Sequence, residues 1–175
     1  MKKRPKILVI GSLNMDLVTE TERAPQVGET VMGKSFRQLP GGKGANQAVA
    51  AARLGAEVMM MGAVGDDEIG AQLIATLQRE GINTETIRQV PQQASGIAQI
   101  TLAEGDNRII VVPGANMASS PDWVEHHRYL IQGADLLVLQ LEIPISTVER
   151  ATTIAFEAGV PVILNPAPAH PLPPS

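Results

Sequence analysis

The glycine-rich stretch Gly41–Gly44 constrains this chain more than any other, because the helix-forming residues Ala45–Leu54 follow it at once. Three glycines among these four residues let the backbone approach another group closely. A turn of this kind at the start of a helix points unpaired backbone N–H groups at a ligand, and Lys43 and Asn46 add side-chain donors. The stretch indicates a binding turn, although a tight turn before an alanine-rich packing helix explains the same residues.

Composition excludes several classes of function. The 175 residues suit one domain, and 44% hydrophobic with 18% charged residues is typical of a globular chain. The net charge of −4 makes nucleic acid or an anionic membrane an unexpected partner. There is no cysteine, and no stretch approaches the ~20 apolar residues of a membrane span. We therefore expect a soluble, cytoplasmic protein.

Hydrophobic patterning predicts alternating strands and helices, hence an α/β fold. The last part, from Leu136 to Leu164, predicts a βαβ unit with parallel strands. The predicted strands are Lys6–Ile10, Asp16–Thr21, Glu29–Ser35, Glu57–Val64, Ser95–Leu102, Arg108–Val112, Leu136–Leu141 and Val160–Leu164. The predicted helices are Ala45–Leu54, Asp67–Glu80, one after Pro121 that Ser119 or Ser120 caps, and Ser146–Ala158.

Polar side chains follow three of the predicted strands. Asn14 and Asp16 come after the first strand, Glu142 after Leu136–Leu141, and Asn165 after the last strand. In open α/β sheets ligands bind beyond the carboxyl ends of strands, where the glycine turn would join these side chains. Carboxylates and amides bond well to hydroxyls, so the convergence favours a polyol. Each residue alone also fits a turn, a loop or a solvated strand end.

Three other patterns carry little function. Residues Gly28–Ser35 match the phosphate-loop pattern, but no buried strand precedes them and Pro40 argues against a helix after them. Asp66, after Gly65, is predicted to cap the next helix. The three histidines, two of them adjacent on a helix, lack metal-ligand spacing. They are His126, His127 and His170.

Six motifs in this order resemble the ribokinase family of carbohydrate kinases. They are Gly11–Asp16, Gly28–Thr30, Gly41–Ala48, Gly65–Asp67, Pro113–Asn116 and Asn165–Ala169. The resemblance spans essentially residues 1–175 as part of one domain. It implies a Rossmann-like α/β/α sandwich with a small β-sheet lid built from residues 16–35 and 95–112.

The resemblance also implies a site and a reaction. The reaction is transfer of the γ-phosphoryl group of ATP to the 5-hydroxyl of D-ribose, with Mg²⁺ and an activating K⁺. Ala98 and Ile100 would cover the sugar from the lid. The sugar hydroxyls would be held by Asn14, Asp16, Gly42, Lys43, Gly44, Asn46 and Glu142.

The family's catalytic base, anion hole, magnesium motif and ATP pocket follow the segment that resembles Asn165–Ala169, and none of them occurs before Ser175. We therefore expect the N-terminal part of such a kinase, truncated before its C-terminal half. It would carry most of the sugar site, no catalytic residue and no metal ligand, and be inactive alone.

Two alternatives stay open. In the first, the kinase acts on deoxyribose, fructose or a nucleoside instead of ribose, although the lid hairpin offers no aromatic partner for a purine. In the second, the chain is a non-catalytic sugar-binding or dimerising module. The short two-sided lid, with Val31 and Ile97–Leu102, further predicts a homodimer joined through it.

Overall fold

A five-stranded parallel sheet forms the body of the chain, for which the computed structural model describes residues 4–171. The strands are β1 (Lys6–Ile10), β2 (Asn14–Thr21), β3 (Gly33–Gly41), β4 (Glu57–Gly65), β5 (Ile87–Val90), β6 (Gly96–Ala103), β7 (Asp106–Val112), β8 (Leu136–Leu139) and β9 (Val162–Leu164). The helices are α1 (Lys43–Arg53), α2 (Glu68–Arg79), α3 (Pro121–His126), α4 (Arg128–Gln132) and α5 (Ile145–Ala158), with a 3-10 helix at Gly114–Ala118. The body sheet has the order β5-β4-β1-β8-β9.

Helices cover both faces of this sheet, which confirms the predicted α/β/α sandwich. Successive residues of a strand point to opposite faces, so Leu8 and Ile10 of β1 pack with α3, α4 and α5, while Val9 packs with α1 and α2. All three side chains are buried. The parallel β8–α5–β9 unit is present as predicted.

A second sheet, which we call the lid sheet, has the order β3-β2-β6-β7. Strands β2 and β6 are parallel, and the two outer pairs are antiparallel. Glu104 and Gly105 close the β6–β7 hairpin with φ of 57° and 79°, as a two-residue turn of the primed type requires. Met15 and Ile97 pack this sheet onto the α1–α2 side of the body.

The predicted strand Glu29–Ser35 is wrong in its position. Strand β3 runs from Gly33 to Gly41 instead, and Glu29 lies in the preceding loop, where its carboxylate pairs with Arg23. Pro40 is tolerated because β3 is an edge strand, in which a missing N–H need not break the ladder. Val31 consequently lies outside the lid strands.

Several local predictions also need correction. The cap of α2 is Asp67, whose carboxylate accepts from the Gly70 N–H at 2.7 Å, and not Asp66. The helix after Pro121 is two short helices, the first capped by Ser120. Strand β5 and the 3-10 helix were not predicted. Residues 172–175, which include Pro173 and Pro174, lie outside the described residues.

Replacing Gly44 with alanine should destabilise the fold, because an added Cβ would lie 2.6 Å from the Ser12 backbone nitrogen and 2.7 Å from the Gly11 carbonyl carbon. Backbone atoms cannot rotate away, so we expect a loss of about 2–3 kcal/mol in the free energy of unfolding. Urea denaturation measures it. Gly33→Ala is the control, since its Cβ would meet nothing nearer than 3.4 Å. Equal stability of the two variants would contradict the close contact.

Candidate sugar-binding site

The loop after β1 and the first turn of α1 touch backbone to backbone. The Ala45 N–H donates to the Ser12 carbonyl at 2.9 Å. Gly42, at φ 93°, brings the turn within reach, and a Cβ on it would lie 2.7 Å from the Asn14 nitrogen. The absence of side chains at Gly42 and Gly44 therefore allows the start of α1 to lie at the carboxyl end of β1.

The Glu142 carboxylate lies on the N-terminus of α1. Its Oε2 accepts from the Ser12 hydroxyl at 2.5 Å and from the Lys43 backbone N–H at 3.1 Å. Its Oε1 lies 3.5 Å from the Lys43 ammonium nitrogen. A carboxylate is favourable there because the first amides of a helix lack partners and carry partial positive charge. Gly42 supplies no side-chain cap, so Glu142 takes that part.

Asn14 is held by a second buried amide, Asn116. The Asn116 Nδ2 donates to the Asn14 Oδ1 at 2.8 Å, and its Oδ1 accepts from the Leu13 N–H at 2.9 Å. Both asparagines are at most 2% exposed. Because the Asn14 oxygen is used in this way, its amide NH₂ group is what remains to donate to a ligand.

Asp16 lies on strand β2 of the lid sheet, close to the Glu142 carboxylate and the Lys43 ammonium group. Partial burial and, after it, the Glu142 carboxylate raise the pKa of Asp16, while the Lys43 ammonium lowers it. Gly41 of β3, which pairs with Asn14, leaves room for the Asp16 carboxylate, since a Cβ there would lie 2.6 Å from Oδ2. Among the described residues nothing donates a hydrogen bond to this carboxylate. Asp16 is thus crowded and has no hydrogen-bond donor among the described residues.

A cavity of about 530 Å³ lies beside these residues, and Asp16, although close to the charges of Lys43 and Glu142, is not among the residues that line it. Asn14, Lys43 and Glu142 line it together, and Met117 and His170 line it as well. The cavity opens where the body sheet, α1 and the lid sheet meet, as the strand-end rule predicts.

The other predicted site residues lie at varying distances from it. Ala98 pairs with Asp16 on β6, and Ile100 is the next residue on the same face of the lid sheet. Asn46 is exposed and borders a different groove, beside Pro40 and Arg53. The structure therefore does not bring Asn46 to the cavity. Asn165 donates its backbone N–H to Leu139 and lies at the end of β9.

Sequence reasoning missed three buried polar side chains around the glycine turn. Ser12 and Asn116 hold Glu142 and Asn14, and Gln140 donates to Gln47 of α1. Gln140 occupies the space that a side chain on Gly11 would need. Ser12 and Asn116 were both inside quoted motifs, but their partners are 130 and 102 residues away, so spacing gave no role.

The phosphate-loop pattern set aside in the sequence lacks the helix that its mechanism requires. The residues that match a phosphate loop run into strand β3 and not into a helix. Within residues 4–171 no three His, Cys, Asp or Glu side chains gather as a metal would require. Over the same range no helix has the length and apolar character to cross a bilayer.

Comparison with known proteins decides the family. The profile described as "pfkB family carbohydrate kinase" matches residues 4–174. This chain belongs to the pfkB family of carbohydrate kinases. The Bacillus subtilis ribokinase is 49% identical over 166 residues, covering 95% of this chain and 57% of that protein. The Salmonella typhi deoxyribokinase is 43% identical, covering 93% and 54%.

Solved structures agree with this pfkB assignment. The Arabidopsis thaliana ribokinase complexed with ribose and ATP superposes with a TM-score of 0.84 at 36% identity, over 93% of this chain and 53% of that one. The chain spans about half the length of the curated relatives it matches. The expected resemblance to the N-terminal part of such kinases is confirmed.

Replacing Asp16 with asparagine should stabilise the ligand-free protein, because the raised pKa shows that its ionised form is disfavoured in the fold. A carboxyl whose folded pKa lies above its unfolded value loses stability as pH rises through that interval. We therefore expect Asp16→Asn to raise Tm by a few degrees at pH 7, with the gain shrinking toward pH 3.

Calorimetry across this pH range is the measurement. Glu22→Gln, an exposed change in the loop after β2, is the control and should leave Tm unchanged. A lower Tm for Asp16→Asn at pH 7 would show that Asp16 is stabilising and refute the argument.

Proposed function

We propose that this chain is the sugar-binding part of a kinase that transfers the γ-phosphoryl group of ATP to the 5-hydroxyl of D-ribose. The observation that carries the proposal is the grouping of Asn14, Asp16, Lys43 and Glu142 at the carboxyl end of β1. Relatives named ribokinase, and one solved with ribose and ATP, support it. A cytoplasmic location belongs to the same proposal, because ATP is the donor.

The chemistry of these groups suits vicinal hydroxyls. Each hydroxyl both donates and accepts, so it bonds to a carboxylate and to an amide or ammonium group together. The unpaired Asp16 carboxylate accepts from the sugar, while the Asn14 amide and the Lys43 ammonium donate to it. Lid residues Ala98 and Ile100 exclude water from the apolar edge of the sugar.

ATP, Mg²⁺ and K⁺ are part of the proposed reaction. Residues 4–171 gather no set of carboxylates or histidines suited to either ion, so no described residue is proposed to hold one. The proposed part of this chain in phosphoryl transfer is to orient the acceptor sugar, which is a large share of catalysis in such reactions.

A deoxyribose kinase is the second candidate, because the Salmonella typhi deoxyribokinase is as similar as several ribokinases. The two candidates differ in one hydroxyl. A site that hydrogen-bonds a hydroxyl rejects the analogue that lacks it. We favour ribose, because a relative named ribokinase is 49% identical to this chain and the deoxyribokinase 43%.

Ribose binding by the 175-residue chain tests the sugar site directly. Titration calorimetry should detect D-ribose, with 2-deoxyribose and fructose at least about tenfold weaker. Asp16→Asn should weaken ribose by about tenfold or more, since a charge-assisted hydrogen bond contributes about 1.5–3 kcal/mol. Glu22→Gln should leave the affinity unchanged. Tighter binding of deoxyribose would favour the second candidate.

Phosphoryl transfer is tested in a chimera that continues this chain with the C-terminal part of the Bacillus subtilis ribokinase. Ribose-dependent release of ADP is expected from the chimera and not from the 175-residue chain. Lys34→Ala, in the phosphate-loop match, should leave the KM for ATP unchanged. A chimera that folds and binds ribose without turnover would count against the kinase proposal.

We also propose that the protein forms a homodimer through the lid sheet. All residues of edge strand β7 are exposed, and four of them in a row, Ile109–Val112, are apolar and 44–65% exposed. Phe36 on β3, the opposite edge, is 58% exposed. An apolar edge of this size invites pairing, and a second copy of the same sheet covers it.

Sedimentation of the chimera tests the lid dimer. The wild type should be a dimer at micromolar concentration, and Ile110→Glu should make it a monomer, because Ile110 is 65% exposed on β7 and a charge there opposes burial. Asn107→Glu, also exposed on β7, is the matched control and should stay dimeric. A monomeric wild type would contradict the proposal.

A further inference from the structure

Ser12 joins the glycine turn to Glu142 through a hydrogen-bond chain whose direction is fixed. The Gly44 N–H donates to the Ser12 Oγ at 3.3 Å, so the hydroxyl acts as an acceptor on that side. Its proton therefore points to the Glu142 Oε2, 2.5 Å away. The same oxygen accepts from the Lys43 N–H at 3.1 Å. Ser12 is 0% exposed, so water does not replace it.

We propose that Ser12 is a positioning residue of the sugar site, a role that rests on the ribose-binding function proposed above. Two donors hold the Glu142 Oε2, and this fixes the carboxylate about its side-chain torsions. The other oxygen, Oε1, stays beside the Lys43 ammonium at 3.5 Å. Without the hydroxyl, Glu142 keeps one backbone donor and turns more freely, so the pair that meets the sugar loses its fixed orientation.

The chain contains the same arrangement at a second helix. The Gly65 N–H donates to the Ser95 Oγ at 2.9 Å, and that hydroxyl donates to the Asp67 Oδ1 at 2.6 Å. The Gly70 N–H donates to the same oxygen at 2.7 Å, at the start of α2. Ser95 is as buried as Ser12, but neither it nor Asp67 lines the cavity. Ser95→Ala therefore removes an equivalent hydroxyl at a site with no proposed ligand.

The test is a double-mutant cycle with ribose affinity as the readout. Ser12→Ala should weaken ribose by about tenfold in the wild type and by less than about threefold in a Glu142→Gln background, because it acts through Glu142. Ser95→Ala should lower Tm to a similar extent. Any effect of Ser95→Ala on ribose affinity should be the same in the wild-type and Glu142→Gln backgrounds. Equal effects of Ser12→Ala in both backgrounds would overturn the proposal.

Amide hydrogen exchange supplies a second arm without sugar. Ser12→Ala should speed exchange at Lys43 and Gly44 while Gly65 and Gly70 keep their protection, and Ser95→Ala should do the reverse. If the wild type binds no ribose, the proposed function fails, and exchange alone then decides on Ser12. Unchanged exchange at Lys43 in Ser12→Ala would overturn its positioning role in either case.

Discussion

The contact between the loop after β1 and the first turn of α1 supports the rest of this structure. Because Gly44 and Ser12 meet through backbone atoms, no side-chain rearrangement accommodates a bulkier residue there. The Ser12 carbonyl accepts from Ala45, and this bond sets the angle at which α1 leaves the sheet. The helix then buries Ala48 against β1 and β4. This contact thus fixes how α1 packs on the sheet and leaves the N-terminus of α1 open at the strand ends.

The charged groups at the N-terminus of α1 are not all paired in the ligand-free protein. Two carboxylates, Asp16 and Glu142, share one ammonium group, Lys43. Glu142 is satisfied by Ser12 and by a helix amide, whereas Asp16 is left with a raised pKa. A neutral molecule with several hydroxyls relieves this without adding charge. An anion placed there would be repelled by both carboxylates, so the arrangement favours a neutral polyol, as proposed for this site.

Sequence alone predicts the elements whose evidence is local. The apolar runs of β1 and β8, and the strand-end position of Glu142, followed from periodicity and topology. The start of β3 did not, because Gly28 and the Arg23–Glu29 pair hold the preceding loop. The roles of Ser12 and Asn116 were equally hidden, since each depends on a partner more than a hundred residues away. Long-range hydrogen bonds leave no period in a sequence.

The lid sheet is attached to the body at residues of the proposed sugar site. Strand β2 begins at Asn14, β6 begins at Gly96, and the chain leaving β7 reaches Asn116. These three points meet, since a side chain on Gly96 would overlap the amides of both asparagines. Asn116 also donates to the Leu13 and Pro113 carbonyls, at 3.0 and 2.9 Å. A ligand that bonds to Asn14 would therefore act on the junction between lid and body, and the proposed sugar binding would be coupled to the position of the lid.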